Sequence, residues 1–284
     1  MSTFSFHPPG VFRRSVFGGE QPRDNHRLKS FLILVGLGSI RRSALSKSTP
    51  LRHDFITIPF SAGTSPSISN IIAKFQGFSK GDLEKFFKNS HGKNLIYHKK
   101  IYFELVNAIG YFQEKNNISC FLHLYRIIEQ SALCLPIISL MKNGNIENTF
   151  MEFKSLIKSD AKSDLSVLKN YSRSQKSTSP LQVTVNISFA HTTNPTQNIA
   201  IVRKLVKNIV SSTADSIELK YLEIDSLIIG FRNQFFHYLF HEDNLSLMDL
   251  TYPEEFLEVC NPIFINYFAF LFKDLLDAEM LMWD

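Results

Sequence analysis

Cysteine and tryptophan are scarce in this sequence. The chain has three cysteines, Cys120, Cys134 and Cys260, and one tryptophan. The cysteines lie far apart in apolar segments, so they match neither the spacing of a zinc site nor a disulfide framework. This distribution is typical of a reducing, intracellular compartment, and we therefore expect a cytoplasmic protein without a structural metal.

Long apolar runs are also missing. The longest clean one, Phe31 to Gly38, is far shorter than the roughly 20 residues that a membrane-spanning helix needs, so we expect no membrane partner. Upstream of it, Arg13-Arg14 loosely resembles a twin-arginine or mitochondrial targeting segment, but no convincing cleavage site follows.

Several enzyme motifs are absent from the sequence. We find no Gly-rich phosphate loop, no Gly-x-Ser-x-Gly elbow and no paired-carboxylate motif. A nucleotide hydrolase, a serine hydrolase and a glycosidase therefore have no positive support. No internal repeat is found either, and no cofactor is predicted.

Basic charge is concentrated near the N-terminus. The formal net charge is +5, whereas residues 1–52 contain nine Lys or Arg and two acids, a net +7, so the remainder sums to −2. Such a segment can bind a phosphate backbone by releasing counterions. A basic arm that is only solvated is at least as common, and both interpretations stay open.

The apolar pattern predicts a mainly α protein with a small β-containing region near the N-terminus. Residues 1–30 have no periodicity, and strands are predicted over Phe31 to Gly38 and Asp54 to Phe60. Short helices are predicted over Ser67 to Phe75 and Lys80 to Lys88. Longer amphipathic helices are predicted over residues 101–115, 118–141 (broken or kinked at Leu135-Pro136), 145–157, 197–213, 216–240 and 254–282.

We divide the chain into a basic arm with a small α/β region, 1–98, and a helical domain, 99–284. The helical domain contains a β insertion near 181–190, because Leu181 to Ala190 alternates apolar and polar residues. A strand there needs a partner, which the N-terminal region, a local hairpin or another chain could supply.

The predicted helix from Ser216 to Phe240 divides by angle into two stripes at about 100° per residue. The apolar stripe consists of Ile224, Leu227, Ile228, Phe231, Phe235, Tyr238 and Leu239. The opposite stripe is polar and consists of Glu223, Ser226, Gly230, Asn233, His237 and His241. Two histidines and an asparagine without any lysine are unusual for a solvated face, so this helix carries the candidate site.

The string Arg232-Asn233-Gln234-Phe235-Phe236-His237 resembles the active-site motif of the HEPN superfamily. That motif has an arginine, often followed by asparagine, and a histidine four to six residues later on a late helix of a bundle. Arg232, Asn233 and His237 match these positions. The earlier segment 124–129, with Tyr125, Arg126 and Glu129, is similar to Tyr-Arg-x-x-Glu stretches in HEPN proteins of anti-phage and abortive-infection systems. The resemblance covers roughly residues 99–284.

The resemblance implies an HEPN-like helical bundle and metal-independent RNA cleavage that leaves a 2′,3′-cyclic phosphate and a 5′-hydroxyl. His237 would exchange the proton of the 2′-hydroxyl or of the leaving oxygen. Arg232 would stabilise the charged phosphate, and Asn233 would orient the histidine or the phosphate. The chain would then be a toxin or effector in anti-phage defence, restrained by an inhibitory or sensor partner. The alternative is a catalytically inactive HEPN-like scaffold or sensor that binds nucleotide, RNA or a partner protein.

Arg232 and His237 point about 140° apart on a regular helix. Either the helix bends near Gly230, or the arginine wraps around it, or two copies of the helix pair. We expect a homodimer, in which the strip Ile229, Phe236 and Phe240 is buried. HEPN ribonucleases are typically dimers of this kind.

Plainer interpretations of the same residues remain. Arg232 could form a surface ion pair with Asp225 or Glu223. His237 could be a partly buried histidine, or it could bind zinc together with His241, although no His-Glu-x-x-His pattern is present. Arg126 and Glu129 are three residues apart on a helix and are expected to form a structural pair.

Overall fold

The computed structural model describes residues 3–8, 25–44, 47–57, 61–62, 72, 74–75, 77–141, 145–157, 164–174, 180–236 and 252–282. The chain forms two compact units, one made of residues 1–114 with 268–284 and the other of residues 115–267. Helices dominate the described residues and small antiparallel sheets accompany them. The predicted mainly α fold with a small β region is confirmed.

The first unit contains three described helices before the final one, together with five short strands. The helices are α1 (His26–Leu34), α2 (Lys80–Asn89) and α3 (Leu95–Gln113). The strands are β1 (Phe4–His7), β2 (Ser39–Arg42), β3 (Ser48–Pro50), β4 (His53–Asp54) and β5 (Ser61–Ala62). β1, β2 and β3 form an antiparallel sheet in that order, and β4 pairs with β5.

The strand predicted over Phe31 to Gly38 is wrong, because this segment is the second half of α1 and its C-terminal turn. The Asn25 side chain caps the helix by accepting from the Leu28 amide at 3.0 Å. Residues 31–35 are all buried, so every face of this turn is apolar. A short apolar run buried on all sides shows neither the helical nor the strand period.

The small sheet is built from other residues than predicted. β2 and β3 lie within residues 39–50, most of which were expected to be a loop, and β1 lies in the stretch expected to lack structure. In the strand predicted over Asp54 to Phe60, pairing ends at Asp54 and a turn follows at residues 55–56. Residues 58–60 and most of the helix predicted over 67–75 lie outside the described residues. The helix predicted over 80–88 is confirmed as α2, whose Ser79 and Asp82 form a capping box.

The inner face of the three-stranded sheet packs on α3. Phe4, Phe6 and Ile40 are buried, and the Phe4 ring lies edge-on to Tyr111 with the ring centroids 5.0 Å apart. A Cβ atom at Gly110 would overlap the Phe4 ring. A glycine at this helical position therefore permits the close approach of β1.

A buried ion pair joins α1 to the C-terminal part of the chain within the first unit. The Arg27 guanidinium donates to both carboxylate oxygens of Glu279, from Nε at 2.8 Å and from Nη2 at 2.9 Å. Its Nη1 donates to the Ser90 carbonyl and hydroxyl oxygens, both at 2.6 Å. His98 Nε2 lies 3.2 Å from Glu279 Oε1. All four residues are buried, so this network satisfies a charge pair removed from water.

The second unit is built mainly from helices: α4 (Asn117–Ser131), α5 (Cys134–Met141), α6 (Ile146–Leu156), α7 (Asp164–Ser174), α8 (Pro195–Leu205), α9 (Ile224–Phe236) and the first part of α10 (Pro253–Leu281). The break between the helices predicted over 101–115 and 118–141 is confirmed; the turn lies at residues 114–116, and Asn116 caps α4. The break predicted at Leu135-Pro136 lies earlier, at residues 132–133. Pro136 instead lies in the first turn of α5, where a missing amide proton costs no helical hydrogen bond.

The strand predicted near 181–190 is confirmed as β6 (Thr184–Ser188), but its partner comes from residues expected to be helical. β7 (Ile209–Ser212) and β8 (Ser216–Lys220) complete an antiparallel sheet in the order β6-β8-β7. The helix predicted over 197–213 therefore ends at Leu205, and the one predicted over 216–240 begins only at Ile224. Ile217 and Leu219 are buried opposite Ile187 and Val185. This alternation of buried residues is the strand period, but it is too short to stand out when residues 216–240 are examined together as one helix.

The final helix α10 is the one described helix that is long and apolar enough to cross a membrane by length and composition. Most of its most apolar stretch is buried inside the fold. Phe264, Phe268 and Phe272 are each about as buried as a core residue can be. These properties fit the core helix of a soluble protein.

Candidate active site

Arg232 lies in the second half of α9 and packs against α4 within the second unit. Its guanidinium carbon lies 4.8 Å from the centroid of the Tyr125 ring, a distance at which a cation is attracted to an aromatic face. Its Nη2 lies 3.9 Å from Glu129 Oε1, and 26% of the arginine side chain is exposed. The guanidinium is thus fixed at the surface by an aromatic ring and a carboxylate.

Tyr125 and Glu129 are one turn apart on α4, so their side chains lie on the same face. Burial raises the pKa of the Tyr125 phenol, and its hydrogen bond to the Glu129 carboxylate and the negative charge of that group raise this pKa further. The phenol therefore stays protonated and donates to Glu129. One carboxylate is held by the Tyr125 hydroxyl and faces the Arg232 guanidinium.

Asn233 is exposed beside Arg232. Its side-chain oxygen accepts a hydrogen bond from Arg232 Nη1 at 3.2 Å. Two of the three predicted catalytic residues are therefore together at the surface of the second unit. His237 lies outside the described residues, as do His241, Tyr238, Leu239 and Phe240. The described residues contain no group of three or more His, Cys, Asp or Glu arranged to hold a metal ion.

The polar stripe predicted on this helix is wrong at its beginning. Glu223 and Ser226 are both buried. Glu223 ends a short 3-10 turn (Tyr221–Glu223) before α9, whereas Ser226 lies in α9 itself. Glu223 accepts from the Asn208 amide at 2.6 Å, and the Ser226 hydroxyl donates to Asp225 at 3.1 Å. An angular projection that continues the helix back to Ser216 therefore misplaces Glu223. Ser226 has the predicted position on the helix, but that face is covered by the rest of the unit.

The structure also bears on the predicted ion pair of Arg232 and on the predicted dimer contact of this helix. The ion pair of Arg232 with Asp225 or Glu223 is wrong, since Arg232 faces Glu129 and both of the other acids are buried. Ile229, one of the three apolar residues assigned to a dimer contact, is 8% exposed. It is therefore covered within its own chain. The Phe236 side chain and Phe240 lie outside the described residues.

Asp225 is a buried carboxyl group that sequence reasoning did not single out as a functional residue. Burial raises its pKa to about 6, against the opposing charges of Lys169 and Arg173 and the hydrogen bond from Ser226. No donor among the described residues reaches its Oδ2 atom. Its negative charge, together with burial, also raises the pKa of Tyr267, whose hydroxyl lies 3.1 Å from Ser172 Oγ. The only signal in the sequence is an acid at the start of an otherwise apolar helix.

Comparisons of the chain with protein-family models, with curated proteins and with solved structures find no match. The candidate site is therefore defined by its own geometry: a half-buried guanidinium, an exposed amide, and a phenol and carboxylate behind them. A fixed guanidinium at a surface is suited to bind a phosphate or a carboxylate.

Proposed function

We propose that this protein is a metal-independent endoribonuclease of the HEPN type, with Arg232, Asn233 and His237 as its catalytic residues. One observation carries the proposal. Arg232 belongs to the HEPN-like string of α9, and its guanidinium packs on Tyr125 and faces Glu129, the aromatic and acidic positions of the other HEPN-like segment. Two segments about a hundred residues apart, each similar to the same family, thus share one cluster.

The Arg232 environment suits a phosphate ligand. At 3.9 Å the separation of Nη2 and Glu129 Oε1 exceeds hydrogen-bonding distance, so this nitrogen retains its capacity to donate to a phosphate oxygen. Tyr125 and Glu129 act as positioning residues, because they restrict a long side chain to one orientation before the substrate arrives. Preorganised donors of this kind stabilise the charge that develops in a transition state.

The proposed reaction is an internal transesterification of RNA. His237 removes the proton of the ribose 2′-hydroxyl, the 2′-oxygen bonds to phosphorus, and the bond from phosphorus to the 5′-oxygen breaks. The leaving 5′-oxygen takes up a proton. The products are a 2′,3′-cyclic phosphate and a 5′-hydroxyl, so atoms and charge balance without water or a metal. Arg232 neutralises the added charge on the pentacoordinate phosphate, and Asn233 orients the phosphate.

The proposal includes a homodimer that acts in the cytoplasm as a toxin or effector of anti-phage defence. A free ribonuclease harms its own cell, so an inhibitory or sensor partner belongs to the same proposal. The dimer is one of the arrangements that would bring Arg232 and His237 together, given the 140° offset expected for these positions on a regular helix. Ile229 no longer contributes to it, since that side chain is covered in the single chain.

The test compares purified wild-type protein with Arg232→Ala, Arg232→Lys and His237→Ala in a single-turnover cleavage assay on a labelled RNA. We expect both alanine variants to lose at least a hundredfold in rate, and Arg232→Lys to recover little, because an ammonium group does not replace the planar fork. Arg203→Ala is the matched control, since Arg203 is an exposed arginine of the same unit and its Nη2 donates to Ser212 Oγ at 2.7 Å.

The inactive-scaffold alternative gives a different result in that assay. A scaffold would leave the RNA intact in all variants, and replacement of His237 would change neither RNA binding nor partner binding. Cleavage by His237→Ala at the wild-type rate would refute the proposed chemistry.

A further inference from the structure

The three-stranded sheet of the first unit has two faces of opposite character. Residues paired across an antiparallel ladder lie on the same face. The pairs that include Phe4, Phe6 and Ile40 form the inner face, where these three residues are buried. The outer face contains Ser5 opposite Arg41, Arg41 opposite Ser48, and Ser39 between His7 and Pro50. This outer face is polar, and Arg41 lies on its central strand.

Unpaired basic charge lies on this outer face and next to the two ends of β3. Between residues 39 and 52 the chain has four basic residues and no acid. Arg42 lies on the other face of β2 and has an ion pair with Glu114, with Nη1 3.3 Å from Oε2. Arg41, Lys47 and Arg52 are exposed, and within the described part of the chain none of them has an ion pair. Three cations are therefore available to a ligand.

We infer that Arg41, Lys47 and Arg52 form a binding surface for the sugar-phosphate backbone of an RNA strand. The choice of RNA rests on the proposed function, whereas the recognition of phosphate rests on the sheet itself. Arginine and lysine neutralise backbone phosphates and release their counterions. Hydroxyl groups such as those of Ser5 and Ser48 are common additional donors to phosphate and sugar oxygens. These contacts hold a strand without selecting its base sequence.

The surroundings of the cations favour nucleic acid over a membrane. The large apolar side chains that are exposed in the first unit include Leu95, Ile96 and Phe103, and none of the described exposed ones lies on β1, β2 or β3. Segments that lie in a membrane interface bury an apolar face in it. The outer face instead combines cations with serine hydroxyls, and its small side chains allow a backbone to approach closely.

The experiment measures binding of a labelled single-stranded RNA oligonucleotide to the full chain at 50 to 200 mM salt. Every protein tested carries His237→Ala, which prevents cleavage. The test variant replaces Arg41, Lys47 and Arg52 by alanine. Each lost phosphate contact lowers the slope of log K against log salt by about 0.7 for a single strand, so the slope should fall by about 2. By the same relation, the loss of affinity should be roughly 20-fold larger at 50 mM salt than at 200 mM.

Two controls separate this surface from charge in general. The triple variant Lys154→Ala, Lys207→Ala and Lys220→Ala removes the same charge from exposed positions of the other unit, and we expect its salt slope to stay at the wild-type value. Arg42→Ala removes a cation that Glu114 already neutralises in part, so its effect should be much smaller than that of Arg41→Ala. Circular dichroism checks that each variant is folded.

The outcomes distinguish this inference from the proposed function. Equal losses in the two triple variants, or an unchanged slope in the test variant, would overturn the inference even if the wild-type protein cleaves RNA. A slope loss confined to the test variant would support it even if the wild-type protein cleaves nothing. Binding of vesicles with anionic lipids that depends on the same three residues, without RNA binding, would overturn it in favour of a membrane surface.

Discussion

The Arg27 and Glu279 pair makes a quantitative prediction for Glu279→Gln. Arg27 is 2% exposed and Glu279 is 7% exposed, so the substitution leaves a buried guanidinium without its counter-charge. Removing one partner of a buried pair typically costs about 3 to 5 kcal/mol. The pKa of Glu279 gives a similar value. Burial alone would raise this pKa, but the hydrogen bonds and charges of His98 and Arg27 lower it from 4.5 to about 2, which corresponds to about 3 kcal/mol.

The same network fixes the direction of the pH dependence. The folded-state pKa of Glu279 is depressed, so its contribution to stability is present above pH 4.5 and is lost as the pH falls toward 2. Burial lowers the pKa of His98 below 6.5, so the unfolded chain binds this proton first and stability also falls as the pH drops below 6.5. Glu279→Gln should remove the part of the dependence between pH 4.5 and 2 that Glu279 contributes.

Urea unfolding and hydrogen exchange of α1 and α3 measure this effect. Exchange is needed because a chain of two units need not unfold in one step. Glu84→Gln is the control, since it breaks the exposed pair with Lys80, whose nitrogen lies 3.6 Å from the carboxylate, at a cost of about 0.5 kcal/mol. A loss below about 1 kcal/mol in Glu279→Gln, where at least 3 is expected, would refute the account of this network.

Three further predictions concern single residues. Asp225→Asn should stabilise the second unit by about 2 to 3 kcal/mol at pH 7.5, because the folded-state pKa of Asp225 is raised to about 6 and wild-type stability therefore falls as the pH rises from 3.8 through 6. Urea titrations of both proteins at pH 4 and 7.5 check this. The same difference in stability between variant and wild type at the two pH values would contradict it. Gly110→Ala should destabilise the first unit by about 1 to 3 kcal/mol, since the added Cβ would overlap Phe4, as hydrogen exchange of β1 would report. Glu129→Gln should lower the cleavage rate about tenfold or more while leaving the pH profile unchanged, and a shifted profile would mean that Glu129 itself exchanges protons.

Local signals in the sequence predicted part of the fold correctly. Asp82 and Glu84 near the start of the segment Lys80 to Lys88 predict the helix α2. Alternation over Leu181 to Ala190 predicts β6. Both signals depend on neighbouring residues only. The same local reasoning fails for the second half of α1, where residues 31–34 are apolar on every face. It fails again at β8, because the prediction treats the buried Ile217 and Leu219 as part of one helix that continues into α9.

The candidate site was predicted in part for a similar reason. Arg232 and Asn233 were identified from their spacing, and they lie together at the surface. The contact of Arg232 with Tyr125 and Glu129 was not predicted, since the pairing of two helices distant in sequence is a property of tertiary packing. Asp225 was missed as a titrating group because burial raises its pKa, and sequence does not show burial.

The chemical ends of the RNA products distinguish metal-independent cleavage through the 2′-hydroxyl from other ribonuclease reactions. Purified wild-type protein is incubated with a defined RNA in EDTA, and the fragments are analysed by mass spectrometry alongside those from Arg232→Ala. We expect 2′,3′-cyclic phosphate and 5′-hydroxyl ends from the wild-type protein, and intact RNA from Arg232→Ala. Fragments with 3′-hydroxyl and 5′-phosphate ends, loss of cleavage in EDTA with recovery on adding zinc or magnesium, or the same fragments from Arg232→Ala would contradict it.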